Sequence, residues 1–262
     1  MDPAALEKAF EKYPNAKVVV LAHLYGVPAK MDEICAVCAR HGAVLIEDAA
    51  EALAADYKGQ PCGTFGTYNV VSFNGNKIIT SSGGGMLITP HKEARDKALF
   101  WATQAREPAP WYQHAEIGYN YRMSNVVAGI GRGQLLHLEE HRDAKEAIYR
   151  RYEQGLKGLP VTMNPYVAES EPNFWLSCML IDAGCPVDPM TVMHVLADAN
   201  VEARPIWKPM HMQPVFADSD FITVADQPVN ESVFARGLCL PSDIKMTAEE
   251  QDAVIEIIRS CF

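Results

Sequence analysis

The segment between residues 17 and 48 constrains the fold more than any other part of the chain. Residues 17–23 (KVVVLAH) and 43–47 (AVLIE) are short apolar runs without polar alternation, which is typical of strands buried on both faces of a parallel sheet. Residues 31–41 between them have helical spacing and end at Gly42. A strand, a helix and a strand in this order predict a βαβ unit and therefore an α/β fold.

The rest of the chain continues this alternation and then changes character after residue 159. The predicted elements are strands at 67–73 and 85–89, a helix at 91–104, a helical pattern at 124–156, a strand at 174–181, a helix at 189–199, a strand at 201–206 and an amphipathic helix at 247–260. Gly131 and Gly133 indicate either a break or a close packing contact within the long helical pattern. We predict a large domain over residues 1–150 and a small C-terminal domain over residues 151–262.

Composition excludes several classes of function. The net charge of −10 argues against a general nucleic-acid binder or a protein of anionic membrane surfaces. The first residues do not have the pattern of a signal peptide, and the longest apolar run, at 18–22, is too short to span a bilayer. Seven cysteines at scattered spacing indicate reduced thiols. We expect a cytoplasmic protein without nucleic-acid or membrane partners.

Asp48 and Lys77 together suggest the chemistry. Asp48 ends a buried strand, where α/β folds place ligands, and Lys77 follows the strand at 67–73. Taken alone, an aspartate such as Asp48 is more often a cap, and a lysine such as Lys77 is more often a surface residue. As a pair they suit pyridoxal phosphate (PLP), which needs a lysine amine to bind its aldehyde and a carboxylate to keep its ring nitrogen protonated.

The residues around Lys77 are small and hydrogen-bonding. Ser72 opens the segment SFNGNK, which suits a phosphate cradle, and Gly83–Gly85 allow a backbone to pass close to a ligand. The glycine run is equally consistent with a flexible hairpin turn. It does not open a helix with the GxGxxG spacing of dinucleotide-binding proteins.

At this point the chain resembles a known family, the PLP-dependent nucleotide-sugar aminotransferases of the DegT/DnrJ/EryC1/StrS group. The matching segments, in the family's order, are AHLYGVPAKMDEI (22–34), HGAVLIEDAAEALAADYKG (41–59), SFNGNKIITSSGGGML (72–87), GYNYRMSN (118–125), RPIWKPMH (204–211) and GLCLPSD (237–243). The resemblance implies PLP fold type I, which is aspartate aminotransferase-like. It has a large domain with a mixed, mostly parallel sheet, here truncated at its N-terminus, and a smaller α+β C-terminal domain.

The resemblance also implies roles for individual residues. Lys77 matches the Schiff-base lysine that moves protons, and Asp48 matches the partner of the ring nitrogen. Glu51 matches a position that contacts the ring hydroxyl side, and Ser72 matches a phosphate ligand. Asn120 matches a residue that reaches the phosphate of the partner subunit's PLP, which implies a homodimer. The positions that match the substrate side are Arg122, Arg204, Trp207 and His211.

The implied reaction is transamination of a nucleotide-linked keto sugar with glutamate as amino donor. The sequences of segments 72–80 and 204–216 are most similar to those of enzymes that aminate C4 of a UDP-linked 4-keto-6-deoxy-N-acetylhexosamine. The family pattern has a further N-terminal stretch, with a phosphate-binding turn and a ring that stacks on PLP. We therefore expect weak or no transaminase activity from this chain alone. The alternative is a regulatory or interaction subunit.

Two other motifs suggest metal or redox chemistry. His137-Leu-Glu-Glu-His141 has the HxxEH spacing of a zinc peptidase, but a solvated helix face explains it better. Cys35 and Cys38 form a CxxC within a helical pattern, and no second CxxC completes a zinc site. Buried structural thiols are the preferred interpretation, and we predict no metal.

Overall fold

The computed structural model describes residues 1–224, 226 and 228–262. The helices of this described part are α1 (Pro3–Lys12), α2 (Met31–Arg40), α3 (Lys92–Ala102), α4 (Asn125–Leu135), α5 (Leu138–Gly155), α6 (Pro189–Asp198), α7 (Val229–Arg236) and α8 (Ala248–Arg259). The strands are β1 (Val18–Ala22), β2 (Val44–Asp48), β3 (Asp56–Tyr57), β4 (Gln60–Pro61), β5 (Tyr68–Ser72), β6 (Gly85–Ile88), β7 (Val161–Met163), β8 (Ser170–Glu171), β9 (Cys178–Ile181), β10 (Arg204–Pro205) and β11 (Gly237–Cys239).

Several helices begin at a side chain that accepts the first unpaired backbone N–H groups. Asp2 caps α1, and Asp188 caps α6, which has a proline in its first turn. Thr247 and Glu250 form a reciprocal capping box at the start of α8. Local sequence therefore sets where these helices start.

The chain divides into two compact units. The central unit contains residues 15–139 and 169–172, and the terminal unit contains residues 1–14, 140–168 and 173–262. The predicted boundary at residue 150 lies within α5, which is continuous from Leu138 to Gly155. The division into domains at 150 stays a prediction.

The central unit is built on a four-stranded sheet of order β1-β2-β5-β6. The pairs β1–β2 and β2–β5 are parallel and β5–β6 is antiparallel, which confirms the expected mixed, mostly parallel sheet. Helix α2 packs against β2 and buries Met31 and Ile34 completely. A smaller antiparallel sheet of order β4-β3-β8 completes the unit.

Burial in β1 alternates, so the expectation of burial on both faces is wrong. Val19 and Leu21 are 6% and 1% exposed, whereas Val18 and Val20 are 52% and 60% exposed. Only one face of β1 is covered in this chain. A run of consecutive valines looks the same in sequence whether one face or both are covered.

The terminal unit has an antiparallel sheet of order β10-β11-β9-β7, with helices packed into the same core. This agrees with the α+β character expected of the C-terminal part. Residues that are fully buried in this core come from helices and strands alike: Tyr152, Met179, Val192, Leu196, Leu238 and Ile258.

Three boundaries differ from the sequence expectations. The long helical pattern is interrupted at residues 136–137, between α4 and α5. Gly131 and Gly133 lie inside α4, so of the two expected alternatives the break does not occur at them, whereas Gly131 packs closely against Ser81: a Cβ built on it would lie 3.6 Å from Ser81 Cβ. Strand β9 begins at Cys178 rather than at residue 174, and Phe174 has a left-handed φ of 51°, outside the β region. The strand expected at 201–206 is reduced to Arg204–Pro205.

No helix of the described residues combines the length and apolar character needed to cross a bilayer.

Candidate active site

Asp48 and Lys77 lie at the carboxyl ends of neighbouring parallel strands. Asp48 is the last residue of β2, and Lys77 is in the turn after β5. These strands pair directly, with Asp48 opposite Val70. Carboxyl ends of parallel strands meet at one edge of a sheet, which is where α/β folds bind ligands.

A carboxylate lies beside the lysine amine. Glu51 Oε1 is 3.6 Å from Lys77 Nζ, and the two side chains are only 10% and 12% exposed. The other carboxylate oxygen, Oε2, accepts the backbone N–H of Tyr25 at 2.6 Å. Glu51 is therefore held at one oxygen by the backbone and directs the other toward Lys77.

The Glu51 carboxyl has a raised pKa because burial penalises its charged form. The Tyr25 N–H and the Lys77 ammonium act in the opposite direction, and the negative charge of Asp48 raises the pKa further. Asp48 and Lys77 thus both act electrostatically on Glu51. The structure brings these three predicted residues into one site.

Ser72 is the last residue of β5, and the turn that carries Lys77 follows it in the chain. Its Oγ accepts the Asn74 N–H at 3.2 Å, which fixes the start of the turn that carries Lys77. The Phe73 N–H donates to the carbonyl of Gly84, so the glycine-rich turn lies against the lysine turn. Gly84 has a φ of +98°, a conformation that favours glycine.

Asn120 and Arg122 lie elsewhere in the central unit, on the exposed loop before α4. Asn120 forms a bridge with Thr103 after α3. Among the described residues, neither side chain makes a hydrogen bond or ion pair to Lys77. Their expected roles in phosphate and substrate binding stay predictions.

The remaining predicted residues belong to the terminal unit. Arg204 Nε donates to Glu202 at 2.7 Å on the exposed strand β10. The Trp207 ring is 45% exposed and contacts Trp175 edge to face, with ring centroids 6.0 Å apart.

His211 Nε2 lies 2.9 Å from Glu231 Oε1. Its ring stacks on Phe221, with ring centroids 3.7 Å apart. The expected substrate role of His211, like those of Arg204 and Trp207, stays a prediction.

Sequence reasoning missed a buried polar pair in the same sheet. His23, directly after β1, and Glu47 in β2 are 1% and 0% exposed, and their Nε2 and Oε1 atoms are 2.7 Å apart. Glu47 also accepts the N–H groups of Gly63 and Phe65. The available signal was a glutamate inside an otherwise apolar strand, because carboxylates are seldom fully buried without partners.

These two residues and Cys62 also form a group of potential metal ligands, with their ligand atoms within 4.8 Å of one another. Protein hydrogen bonds already engage the His23 ring and both Glu47 oxygens. Burial raises the pKa of the Cys62 thiol. His23 and Glu47 belong to an internal hydrogen-bond network.

Comparison with known proteins identifies the family. A model of the DegT/DnrJ/EryC1/StrS aminotransferase family matches residues 1–259. The chain belongs to this family. The family consists of PLP-dependent sugar aminotransferases, so the expectation of PLP as cofactor is confirmed at the level of the family.

Individual relatives agree with this family membership. The chain is 47% identical to EpsN of Bacillus subtilis (strain 168), whose name describes a pyridoxal phosphate-dependent aminotransferase; the match covers 100% of this chain and 69% of EpsN. It is 35% identical to GDP-perosamine synthase of Caulobacter vibrioides, over 97% of this chain and 68% of that protein.

A solved family structure supports the fold. The crystal structure of a DegT DnrJ EryC1 StrS aminotransferase from Brucella abortus superposes with a TM-score of 0.87 at 25% identity, covering 99% of this chain and 69% of that one. The expected fold class, PLP fold type I, is confirmed for this member of the family.

Proposed function

We propose that this chain transfers an amino group from glutamate to a nucleotide-linked keto sugar, with PLP bound at Lys77. The observation that carries the proposal is the pairing of Lys77 Nζ with Glu51 Oε1 at the sheet edge that Asp48 also occupies. A carboxylate beside a nearly buried lysine can accept the proton that the ammonium must lose before the amine attacks an aldehyde.

The residues at this edge suit the chemical groups of PLP. Lys77 Nζ would bind the cofactor aldehyde and then carry protons, and Asp48 would hold the proton of the ring nitrogen. Glu51 would face the ring hydroxyl, and the Ser72 hydroxyl would hold the phosphate. Bound PLP supplies an electron sink for the amino transfer.

The substrate belongs to the proposal as well. Similarity in segments 72–80 and 204–216 favours a UDP-linked 4-keto-6-deoxy-N-acetylhexosamine. Arg122, Arg204, Trp207 and His211 are the proposed substrate-side residues. Asn120 would reach the PLP phosphate of a partner subunit, which makes the active assembly a homodimer. A GDP-linked keto sugar is the rival substrate, because one relative is named GDP-perosamine synthase.

Covalent capture of PLP tests the site. The chain is incubated with PLP, reduced with borohydride and digested, and the labelled peptide is identified by mass spectrometry. We expect the label on Lys77 and its loss in Lys77→Ala. Lys92→Ala is the matched control, because Lys92 is an exposed lysine paired with Asp96.

Labelling that persists in Lys77→Ala at the wild-type level would reject the proposed site. Turnover of UDP- and GDP-linked 4-keto sugars with glutamate then tests the substrate. Binding of PLP at Lys77 with weak or no turnover of either sugar is the result expected of this chain alone, and it leaves the regulatory or interaction role as the alternative.

A further inference from the structure

The buried pair His23–Glu47 lies one residue away from Asp48 but is not part of the proposed chemistry. Successive residues of a strand point to opposite faces, so Glu47 and Asp48 belong to opposite faces of the sheet. Glu47 is on the face that carries the buried residues Leu45 and Leu21. The pair therefore lies on the face of the sheet opposite to Asp48.

The hydrogen bonds of the His23 ring define its protonation. Its Nδ1 accepts the backbone N–H of Ala29 at 3.0 Å, so Nδ1 carries no hydrogen. A neutral imidazole has one donor and one acceptor nitrogen, so Nε2 carries the hydrogen and donates it to Glu47 Oε1 at 2.7 Å. The Glu47 carboxylate selects the tautomer with its hydrogen on Nε2, because a carboxylate can accept a hydrogen bond but cannot donate one.

The ring closes the loop between β1 and α2. Its Nδ1 bond ties Ala29 back to His23, whose own N–H donates to the Asp48 carbonyl at 3.0 Å. Within this loop Tyr25 has a φ of 58°, a left-handed conformation that is disfavoured for a residue with a Cβ. Such a conformation persists only where the surrounding contacts determine it.

The strained residue is the one that holds Glu51. The Tyr25 N–H donates to Glu51 Oε2 at 2.6 Å, and Glu51 Oε1 is 3.6 Å from Lys77 Nζ. The backbone of the loop at residues 23–29 thus joins two sets of contacts: those of the buried carboxylate, which end at the Ala29 N–H, and those of the lysine amine, which end at the Tyr25 N–H.

We propose that His23 and Glu47 are positioning residues for Lys77. Glu47 keeps His23 in the tautomer whose Nδ1 closes the loop, and the closed loop presents the Tyr25 N–H that orients Glu51 beside the amine. The proposal rests on the proposed function in one respect, that Lys77 is the amine that binds PLP.

Two amide substitutions of His23 separate the two ring contacts. In His23→Asn the amide oxygen stands close to the position of Nδ1 and still accepts the Ala29 N–H. In His23→Gln the longer side chain places its amide near the position of Nε2 and leaves Ala29 without its acceptor. The pair thus differs mainly in the contact that closes the loop.

Hydrogen exchange and lysine labelling measure the result in the intact chain. We expect the Ala29 and Tyr25 amides to exchange roughly tenfold faster in His23→Gln than in His23→Asn, the order expected for loss of one hydrogen bond. The initial rate of PLP labelling at Lys77 should fall in His23→Gln and be restored toward the wild-type rate in His23→Asn.

Three results would overturn the proposal. One is equal labelling rates at Lys77 in wild type and His23→Gln, despite faster exchange at Ala29. Another is equal loss in both variants. The third is independent of any variant: a ¹⁵N-histidine spectrum of the wild-type chain that shows hydrogen on Nδ1 of His23. Failure of the proposed function looks different, because labelling would then persist in Lys77→Ala whatever the loop does.

Discussion

Gly118 opens the loop that carries Asn120 and Arg122, and it has no room for a side chain. A Cβ built on Gly118 would lie 2.1 Å from the carbonyl carbon of Gln104 and 2.3 Å from the nitrogen of Ala105. Both atoms are backbone, so no side-chain rotation relieves the overlap. Gly118→Ala must therefore separate the loop from the end of α3 by about 1 Å or more to reach ordinary contact distance.

The cost follows from the hydrogen bonds that this separation breaks. Tyr119 N–H donates to the Trp101 carbonyl at 2.7 Å, Gln104 N–H donates to the Tyr119 carbonyl at 2.8 Å, and Tyr121 N–H donates to the Ala102 carbonyl at 3.0 Å. Each contributes about 1 kcal/mol net. Their joint loss makes opening of the loop easier by about 3 kcal/mol, or roughly 150-fold in the opening equilibrium.

Native-state hydrogen exchange measures this opening directly at the Tyr119 and Tyr121 amides. Gly129→Ala is the control of opposite sign, because Gly129 lies within α4 and a methyl group added there would meet no atom within 4 Å. That substitution should stabilise the helix by about 0.5–1 kcal/mol. Protection factors in Gly118→Ala within about threefold of wild type would refute the reasoning, since three broken hydrogen bonds cannot leave so small a trace.

Three further outcomes are expected. Hydrogen bonds from His23 and backbone N–H groups hold the pKa of Glu47 below its usual 4.5 despite burial. The stabilisation that ionised Glu47 provides is complete above about pH 4.5 and is lost as pH falls through the lower folded-state pKa; urea unfolding from about pH 6 to about pH 3 should show the loss, with a flatter profile for Glu47→Gln. Cys178 and Cys239 are opposite residues of β9 and β11 with Sγ atoms 3.7 Å apart, so diamide should remove two of the seven thiols and peptide mapping should find this pair joined, whereas Cys178→Ser should prevent it. Tyr152→Phe should lower the free energy of unfolding by about 1 kcal/mol in denaturant titration, because the hydroxyl donates to the Pro241 carbonyl.

The sequence was sufficient where local signals determine the structure. The helices expected at 31–41 and 247–260 and the strands expected at 43–47 and 67–73 all lie within one residue of their predicted bounds. Asp48 and Lys77 were proposed as a pair from the sequence and Glu51 from the family resemblance; in the structure Glu51 lies 3.6 Å from the Lys77 amine and feels the charge of Asp48.

The features that the sequence did not predict share a physical cause: each depends on tertiary contacts. Exposure of Val18 and Val20 depends on what covers the sheet, which no local pattern reports. The left-handed backbone of Tyr25 and Phe174 is not a property of their residue types, since tyrosine and phenylalanine disfavour it. The contact between Tyr25 and Glu51 therefore had no sequence signal that spacing alone could supply.

The terminal unit joins the first helix of the chain to its last third. Lys12 pairs with Asp220 at 2.7 Å, and Lys8 donates to the Thr223 carbonyl at 3.3 Å. During synthesis, α1 can form these two contacts only after more than two hundred further residues have been added to the chain. Residues 15–139, which include the whole sheet that carries Lys77, are made well before that. Domains generally fold as their residues emerge, so the order of synthesis favours assembly of the lysine site before the unit that contains both ends of the chain.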